Sequence, residues 1–273
     1  MKTLLAVICS TALLAVAAPA FGAPQRIVSL NMCADQYLIA LADRDQIAAL
    51  SEWARDPAMS YQSEAARSYP VATGAAEAVM TLKPDLVIVN RFRRQETQSI
   101  LKPYGYTTIE LRPARNFEDI IDQTREIAAA IGHPERGEAL IARMRAELAA
   151  IPAPDRRAPV VAHYQRRGFV TGTGTLLDEV MTRAGADNLA RRLGRSAVSR
   201  ITLEEILTAR PDYLLYTEQP APGTDMGTDL LLHPALMERY GPSRRLYVPQ
   251  ALTMCGGPSF PDAVRVLHRQ LHS

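Results

Sequence analysis

Histidine, cysteine and tryptophan are scarce in this sequence, with five, three and one among 273 residues. A site for a bare metal ion needs three or four ligands that converge on it. The histidines are too scattered to form such a cluster, so we expect no metal site and no resident cofactor. They stand at His133, His163, His233, His268 and His272.

An excess of charge of one sign is also missing. The formal net charge is +2, and acidic and basic residues are mixed along the chain. Surfaces that bind nucleic acids or membranes carry a marked excess of basic residues. We therefore expect no nucleic acid partner and no attachment to a membrane surface.

Long apolar runs are absent after the first 22 residues. Lys2 is followed by the apolar run 4–16 and then by the small residues Ala17 and Ala18. This run is short for a membrane span and precedes a cleavage-site pattern. We predict a cleaved signal peptide over residues 1–22 and an exported mature protein; an uncleaved anchor is the alternative.

Two cysteines remain after such cleavage, Cys33 and Cys255. Thiols tend to pair in the oxidising compartments outside the cytoplasm. A disulfide between these two residues would join the beginning and the end of the mature chain. Two buried free thiols are the alternative.

A repeated unit is the most informative feature that is present. Residues 77–89 contain a glutamate, a short amphipathic helix, a basic residue, Pro-Asp and an apolar run, and residues 204–216 repeat this order. Glu77 and Glu204 each precede the proline by seven positions. Proline ends the helix, and the apolar run fits a buried parallel strand. The repeat predicts two similar lobes, each with a surface glutamate for a partner with two matching sockets.

Helical and strand-like patterns alternate along the chain, which predicts α/β architecture. We expect an N-terminal α/β lobe at residues 23–133, a connecting helix at 134–152 and a C-terminal α/β lobe at 153–273. Leu140, Met144 and Leu148 recur at helical spacing in the connecting segment. In the second lobe, we expect a helix over residues 177–189 that corresponds to residues 35–47.

Catalysis is poorly supported by the sequence. Residues 171–175, Thr-Gly-Thr-Gly-Thr, resemble a phosphate loop, but no Lys-Ser/Thr follows and the glycine spacing of a dinucleotide-binding fingerprint is absent. No G-x-S-x-G elbow or pair of catalytic carboxylates stands out. We expect a protein that is not an enzyme.

These features together resemble the periplasmic substrate-binding proteins of ATP-driven (ABC) importers for iron chelates and cobalamin. The resemblance rests on the opening strand at 26–30, the unit from Glu77, the long helix and the second unit from Glu204. It implies two Rossmann-like α/β lobes joined by a single long α-helix, with the ligand in the cleft between them. It also implies a monomer in the periplasm that docks through Glu77 and Glu204 on an inner-membrane permease dimer with its ATPase.

Ligands of open α/β lobes meet the loops at the carboxyl ends of the strands. Aromatic and arginine side chains occupy several of these loops, and this pairing suits a bulky chelate with anionic or carbonyl oxygens. We expect a ferric siderophore as the ligand, with cobalamin or haem as the alternative. We also expect the helices of Glu77 and Glu204 to begin away from the cleft. The candidate ligand-binding residues are Trp53, Arg91, Arg93, Tyr164 and Arg166.

Overall fold

The computed structural model describes residues 22–90, 95–153, 157–220, 223 and 226–272. The predicted signal peptide and the candidates Arg91 and Arg93 lie outside these residues. The elements of the N-terminal lobe are β1 (Ile27–Ser29), α1 (Met32–Leu41), β2 (Ile47–Ser51), α2 (Ser63–Ala66), β3 (Val71–Ala72), α3 (Ala76–Thr81), β4 (Leu86–Asn90), α4 (Gln95–Leu101), β5 (Thr108–Leu111) and α5 (Phe117–Ala130).

The strands of the N-terminal lobe form one parallel sheet in the order β3-β2-β1-β4-β5. Successive residues of β4 are buried on opposite faces: Ile88 packs in a cluster with residues of α1 and α5, and Val87 packs with residues of α3 and α4. Both faces are therefore covered by helices, which explains why the central strand β4 is apolar without alternation. The chain extends the sheet in one direction from β1 and then in the other from β4, so a topological switch point lies between these two strands.

The connecting helix α6 (Pro134–Ala149) follows the N-terminal lobe directly. Proline at its first position and Glu135 in its first turn are typical of helix starts. Leu140, Ile141 and Met144 are buried in a hydrophobic cluster that contains residues of both lobes. The helix is therefore packed along its length and is not a free tether.

The C-terminal lobe contains a second parallel sheet in the order β11-β10-β6-β8, together with the antiparallel ribbon β7-β9. Within the described residues, no helix is long and apolar enough to cross a membrane. The elements are β6 (Val160–His163), β7 (Phe169–Thr171), α7 (Leu176–Arg183), β8 (Asp187–Asn188), α8 (Leu189–Arg192), β9 (Val198–Arg200), α9 (Leu203–Ala209), β10 (Tyr213–Tyr216), α10 (Met226–Asp229), α11 (Pro234–Arg239), β11 (Arg245–Tyr247), α12 (Gln250–Thr253) and α13 (Phe260–His272).

The prediction of one helix over residues 177–189 is wrong. Helix α7 ends at Arg183, Gly185 adopts a left-handed conformation with φ 90°, and Asp187 and Asn188 form β8 beside β6. The chain changes direction there because glycine accepts a positive φ without steric cost. The corresponding segment of the first lobe also passes from helix α1 into strand β2, so the two segments do correspond.

Several contacts join the lobes besides α6, and three of them are specific links between side chains. Cys33 and Cys255 form a disulfide with their Cα atoms 5.2 Å apart. Phe117 of α5 stacks on Phe260 of α13, with ring centroids 5.3 Å apart. The Tyr61 hydroxyl, in the loop after β2, donates a hydrogen bond of 2.7 Å to a carboxylate of α13. These links restrict rotation of one lobe against the other.

Candidate functional site

A cavity of about 600 Å³ opens at the carboxyl ends of β1, β2, β4 and β5 in the N-terminal lobe. Its walls are mostly apolar, with a few polar groups from the loops that follow these strands. The loop after α12 closes it from the C-terminal lobe. The lining includes Asn31, Met32, Cys33, Trp53, Met59, Asn90, Arg112, Gln123, Thr253 and Met254.

The floor of this N-terminal cavity is built at the switch point. Asn31 caps α1: its side-chain oxygen accepts hydrogen bonds from Cys33 N and Ala34 N, at 2.8 and 3.2 Å. Its amide nitrogen lies 3.4 Å from the carbonyl oxygen of Val89 on the neighbouring strand. Asn31 thus fixes the first turn of α1 against β4, and the adjacent cavity wall is preorganised.

A buried carboxylate lies one turn further along α1. Asp35 is fully buried and accepts hydrogen bonds from the Ser51 backbone and hydroxyl, at 3.1 and 2.6 Å. Burial raises the pKa of Asp35 from 3.8 to about 6, against the lowering effect of hydrogen bonds from Ser29 and Ser51. This network ties the ends of β1 and β2 to α1 below the cavity.

Trp53 lies at the mouth of the N-terminal cavity with 44% of its surface exposed. It follows β2 in a loop of consecutive turns, in which Ala54 and Ser60 are buried. The same loop ends at Tyr61, whose hydroxyl binds Asp262. Burial, together with this acceptor, raises the pKa of Tyr61 to about 12. The indole is therefore exposed on a loop that is anchored at both ends.

A second cavity, also of about 600 Å³, lies at the carboxyl ends of β6 and β10 in the C-terminal lobe. Its rim is cationic and polar, because the turn after β6 contains Arg166 and Arg167. The ribbon β7-β9 contributes an apolar wall that includes the exposed Val198. The lining includes His163, Gln165, Arg166, Arg167, Phe169, Val198, Thr217, Glu218, Gln219 and Gln250.

His163 forms part of the floor of this C-terminal cavity. Its Nδ1 lies 2.6 Å from the Thr171 hydroxyl and its Nε2 lies 3.4 Å from the Thr217 hydroxyl. Burial lowers the pKa of His163 to about 4. The imidazole is therefore neutral at neutral pH and contributes hydrogen bonds rather than charge.

The short helix α12 connects the two cavities. Gln250, its first residue, lines the C-terminal cavity, and Thr253, its last residue, lines the N-terminal cavity. Three residues of helix rise by only about 4.5 Å. The two cavities are therefore adjacent halves of one cleft, and the Cys33–Cys255 disulfide forms part of its wall.

Comparison with known proteins agrees with this two-lobed geometry. A family model described as a periplasmic binding protein matches residues 27–238. The chain is a member of this family. The proteins that it resembles are named for different ligands.

The relatives of this periplasmic binding protein include proteins for three kinds of chelate. A cobalamin-binding protein of Halobacterium salinarum is 27% identical over 221 residues, which cover 79% of this chain and 60% of that protein. This chain thus spans less than two thirds of that relative. A periplasmic haem-binding protein from Roseiflexus sp. RS-1 has a TM-score of 0.70 at 24% identity, over 90% of this chain and 98% of that chain. A protein of an Fe³⁺-hydroxamate transport system from Saccharomonospora viridis has a TM-score of 0.68 at 19% identity, over 92% and 94%. At these identities the two structures show the shared fold.

The predicted ligand-binding residues of this binding protein fall in three places. Trp53 and Arg166 line the N-terminal and C-terminal cavities, respectively. Arg91 and Arg93 follow Asn90, a lining residue, but lie outside the described residues. Tyr164 borders the C-terminal cavity, yet its side chain is completely buried in the core of that lobe. Tyr164 is nevertheless among the residues that line this cavity, and its contact with a ligand stays a prediction.

The two repeated glutamates are exposed in the first turns of α3 and α9. The carboxylate of the neighbouring Glu205 completes a capping box with the Thr202 backbone at 2.7 Å and lies 3.4 Å from Arg195. Glu204 is therefore the better candidate for an external contact. The negative charge of Glu204 contributes, after burial, to the raised pKa of Tyr164 at the cleft edge.

That the helices of Glu77 and Glu204 begin away from the cleft stays a prediction. Helix α3 begins four residues after β3, at the carboxyl edge of the N-terminal sheet. Helices of α/β lobes run back along the sheet, so their first turns lie beside the carboxyl ends of strands. Neither Glu77 nor Glu204, however, is among the residues that line the two cavities.

The loop at residues 171–175 is structural. Thr175 caps α7, and the Gly174 N–H donates to the Asp178 carboxylate at 3.1 Å. The same carboxylate pairs with Arg191 at 3.3 Å and accepts a hydrogen bond from Asn188. The Asp178 carboxylate therefore already accepts the Gly174 N–H, and the loop forms the start of α7.

Several lining residues were missed in the sequence. Arg112 directly follows β5, so the strand-end rule applied to this last strand would have found it. Val198 lies on β9, which has no clear sequence pattern, and Gln250 lies on a four-residue helix. Their positions depend on tertiary packing, which local periodicity does not encode.

Proposed function

We propose that this protein is the ligand-capturing component of an ABC importer, which binds a metal chelate in the cleft and delivers it to an inner-membrane permease. The observation that carries the proposal is the pair of adjacent cavities, each of about 600 Å³, at the carboxyl ends of both sheets. Each volume is within the usual range for small-molecule pockets, and together they suit a ligand larger than a sugar or an amino acid. The exported location expected from residues 1–22 is part of this proposal.

A corrinoid is the first candidate ligand. Trp53 offers a flat apolar surface, and Arg166, Gln165 and Thr217 offer donors for amide and phosphate oxygens. The relative from Halobacterium salinarum, which is named a cobalamin-binding protein, supports this choice. We therefore place cobalamin before the ferric siderophore that the sequence alone favoured.

A ferric siderophore is the second candidate. The adjacent arginines Arg166 and Arg167 on the rim of the C-terminal cavity favour a ligand with anionic oxygens. The structural likeness to a protein of an Fe³⁺-hydroxamate transport system is compatible with this alternative. We propose haem only as a third candidate.

Calorimetric titration of the mature protein with cyanocobalamin, haemin and several ferric siderophores tests this proposal. We expect saturable 1:1 binding of one chelate, with cyanocobalamin the tightest, and no turnover of the bound molecule. If a ferric siderophore binds more tightly than cyanocobalamin, the siderophore becomes the proposed ligand and the proposed transport role is unchanged. Tight binding of a sugar, an amino acid or a bare divalent cation, with no chelate bound, would overturn the proposal.

A further inference from the structure

A polar hollow lies at the edge of the C-terminal sheet that faces away from the cleft. It has a volume of about 640 Å³ and surrounds the amino ends of β6, β10 and β11. These strands have three or four residues, so the hollow is roughly 10–13 Å from the carboxyl ends that line the C-terminal cavity. Four arginines are among the residues that line this arginine hollow: Arg157, Arg192, Arg210 and Arg244.

Positive charge in the arginine hollow exceeds the negative charge that is available to it. Arg192 pairs with Asp187 at 2.6 Å. The other carboxylate in the hollow, Asp212, accepts a hydrogen bond from Val160 N at 2.7 Å. The side chains of Arg157, Arg210 and Arg244 form no hydrogen bond or ion pair with any residue in the described part of the chain. Three of the four arginines of the hollow thus have no ion-pair partner among the described residues.

Helix ends explain only part of this charge. Arg192 lies in the last turn of α8 and Arg210 follows α9, and positive charge is favoured at both places by the helix dipole. Arg157 instead precedes a strand. Arg244 ends a turn of three residues, which is too short to have an appreciable dipole. Their convergence therefore needs a second explanation.

The repeat supplies an internal comparison. Arg210 has a left-handed backbone with φ 46°, and Lys83 has the same conformation, φ 47°, at the equivalent position of the first unit. In the N-terminal lobe, however, the neighbouring Arg26 is engaged, because it donates two hydrogen bonds to the Leu82 carbonyl, at 3.0 and 2.7 Å. Both lobes thus have a basic residue at this position. In the C-terminal lobe, it lies beside further arginines that have no partner among the described residues.

We propose that the arginine hollow binds a multiply charged phosphate group, from either a soluble phosphorylated molecule or a phospholipid headgroup. Each guanidinium offers a planar fork that matches two phosphate oxygens. Several forks around one concavity favour a group with more than one negative charge, and the volume accommodates a group larger than a single oxyanion. The site is separate from the cleft, so it does not depend on the identity of the imported ligand.

Arg210→Gly is the decisive variant. Glycine accepts the left-handed backbone at least as well as arginine, so the variant removes the guanidinium without straining the fold. Lys83→Gly is the matched control, since it removes one positive charge from the same backbone conformation in the other lobe. We expect calorimetry with inorganic pyrophosphate to show at least about tenfold weaker affinity in Arg210→Gly and unchanged affinity in Lys83→Gly.

Vesicles distinguish the two sources of phosphate. Cosedimentation with phosphatidic acid–phosphatidylcholine vesicles, compared with phosphatidylcholine alone, detects a headgroup site, since phosphatidic acid is a phosphomonoester and can carry two negative charges. Loss of vesicle binding in Arg210→Gly but not in Lys83→Gly assigns the headgroup, and pyrophosphate binding without vesicle binding assigns a soluble phosphate. If neither probe binds the parent, or if both variants weaken binding equally, the inference is wrong. Cyanocobalamin affinity, measured on the same variants, remains unchanged in every one of these cases.

Discussion

Asp85 and Asp212 make the same contact in the two lobes. Asp85 accepts hydrogen bonds from the backbone of Gln25 and Arg26, at 2.7 and 3.0 Å, where β1 begins. Asp212 accepts one from Val160 N at 2.7 Å, where β6 begins. The Pro-Asp pair of the repeat therefore does more than end a helix, because it ties the start of each lobe's first strand to the repeated unit.

Replacing either aspartate by alanine should destabilise its lobe. Each change removes the acceptor of a backbone N–H at the strand start, so we expect a loss of about 0.5–1.5 kcal/mol in the free energy of unfolding, the usual net contribution of one hydrogen bond. Urea denaturation measures this loss. Asp56→Ala is the control, since Asp56 makes its contact within its own exposed loop. Unchanged midpoints for Asp85→Ala and Asp212→Ala would show that the shared contact has no energetic role.

The Cys33–Cys255 disulfide should contribute to stability through the unfolded state. The two residues are 222 positions apart, and the chain-entropy relation for a loop of this length gives about 5 kcal/mol as an upper value. We expect dithiothreitol to lower the urea midpoint of the parent but not that of a Cys33→Ala/Cys255→Ala variant. Two alkylatable thiols in the protein purified without reductant would contradict this prediction.

Asp35 should make stability depend on pH in a specific direction. Its pKa is raised from 3.8 to about 6 by burial, so between about pH 4 and pH 6 the folded protein holds a proton that the unfolded chain has released. The contribution of this group to stability therefore falls as pH rises through that window, by up to about 3 kcal/mol.

Asp35→Asn isolates this effect. An amide keeps both contacts with Ser51, since its oxygen accepts from the backbone and its nitrogen donates to the hydroxyl. We expect the variant to become more stable relative to the parent as pH rises from 4 to 7. Denaturation curves at several pH values provide the comparison, and a constant difference between parent and variant would refute the assigned pKa.

The repeated glutamates yield a prediction about transport. Glu77→Lys and Glu204→Lys should leave ligand affinity nearly unchanged, since neither residue lines a cavity. If the permease presents basic sockets, lysine there adds like-charge repulsion and import falls. Glu118→Lys is the control, because Glu118 is exposed on α5, which covers the other face of the sheet from α3. Normal import by both variants would contradict a docking role, and the two glutamates would then serve only as helix-start residues.

Much of the fold follows from local sequence signals. The strand predicted at residues 26–30 is Ile27–Ser29, and the helix predicted from Pro134 runs to Ala149. Apolar runs, prolines and helix-start residues are local, so they specify these elements directly. The strand-end rule also placed Trp53 and Arg166 at the cavities, because it depends only on topology.

Features that depend on packing could not be predicted in this way. Tyr164 follows a strand, and only the tertiary structure shows that its ring turns into the core. Tyr61 and Asp262 are 201 residues apart, and no local pattern links them. The burial of Asp35, which sets its pKa, likewise results from the assembled lobe.

Ligand binding by both lobes is the central claim, and calorimetry of cyanocobalamin with one variant from each lobe tests it most directly. Trp53→Ala removes the exposed indole of the N-terminal cavity, and Arg166→Ala removes a guanidinium from the C-terminal rim. We expect each change to weaken binding by about tenfold, or 1.4 kcal/mol, whereas Tyr104→Ala, an exposed aromatic outside both cavities, leaves affinity unchanged. Parent-like affinity in both Trp53→Ala and Arg166→Ala would contradict the account.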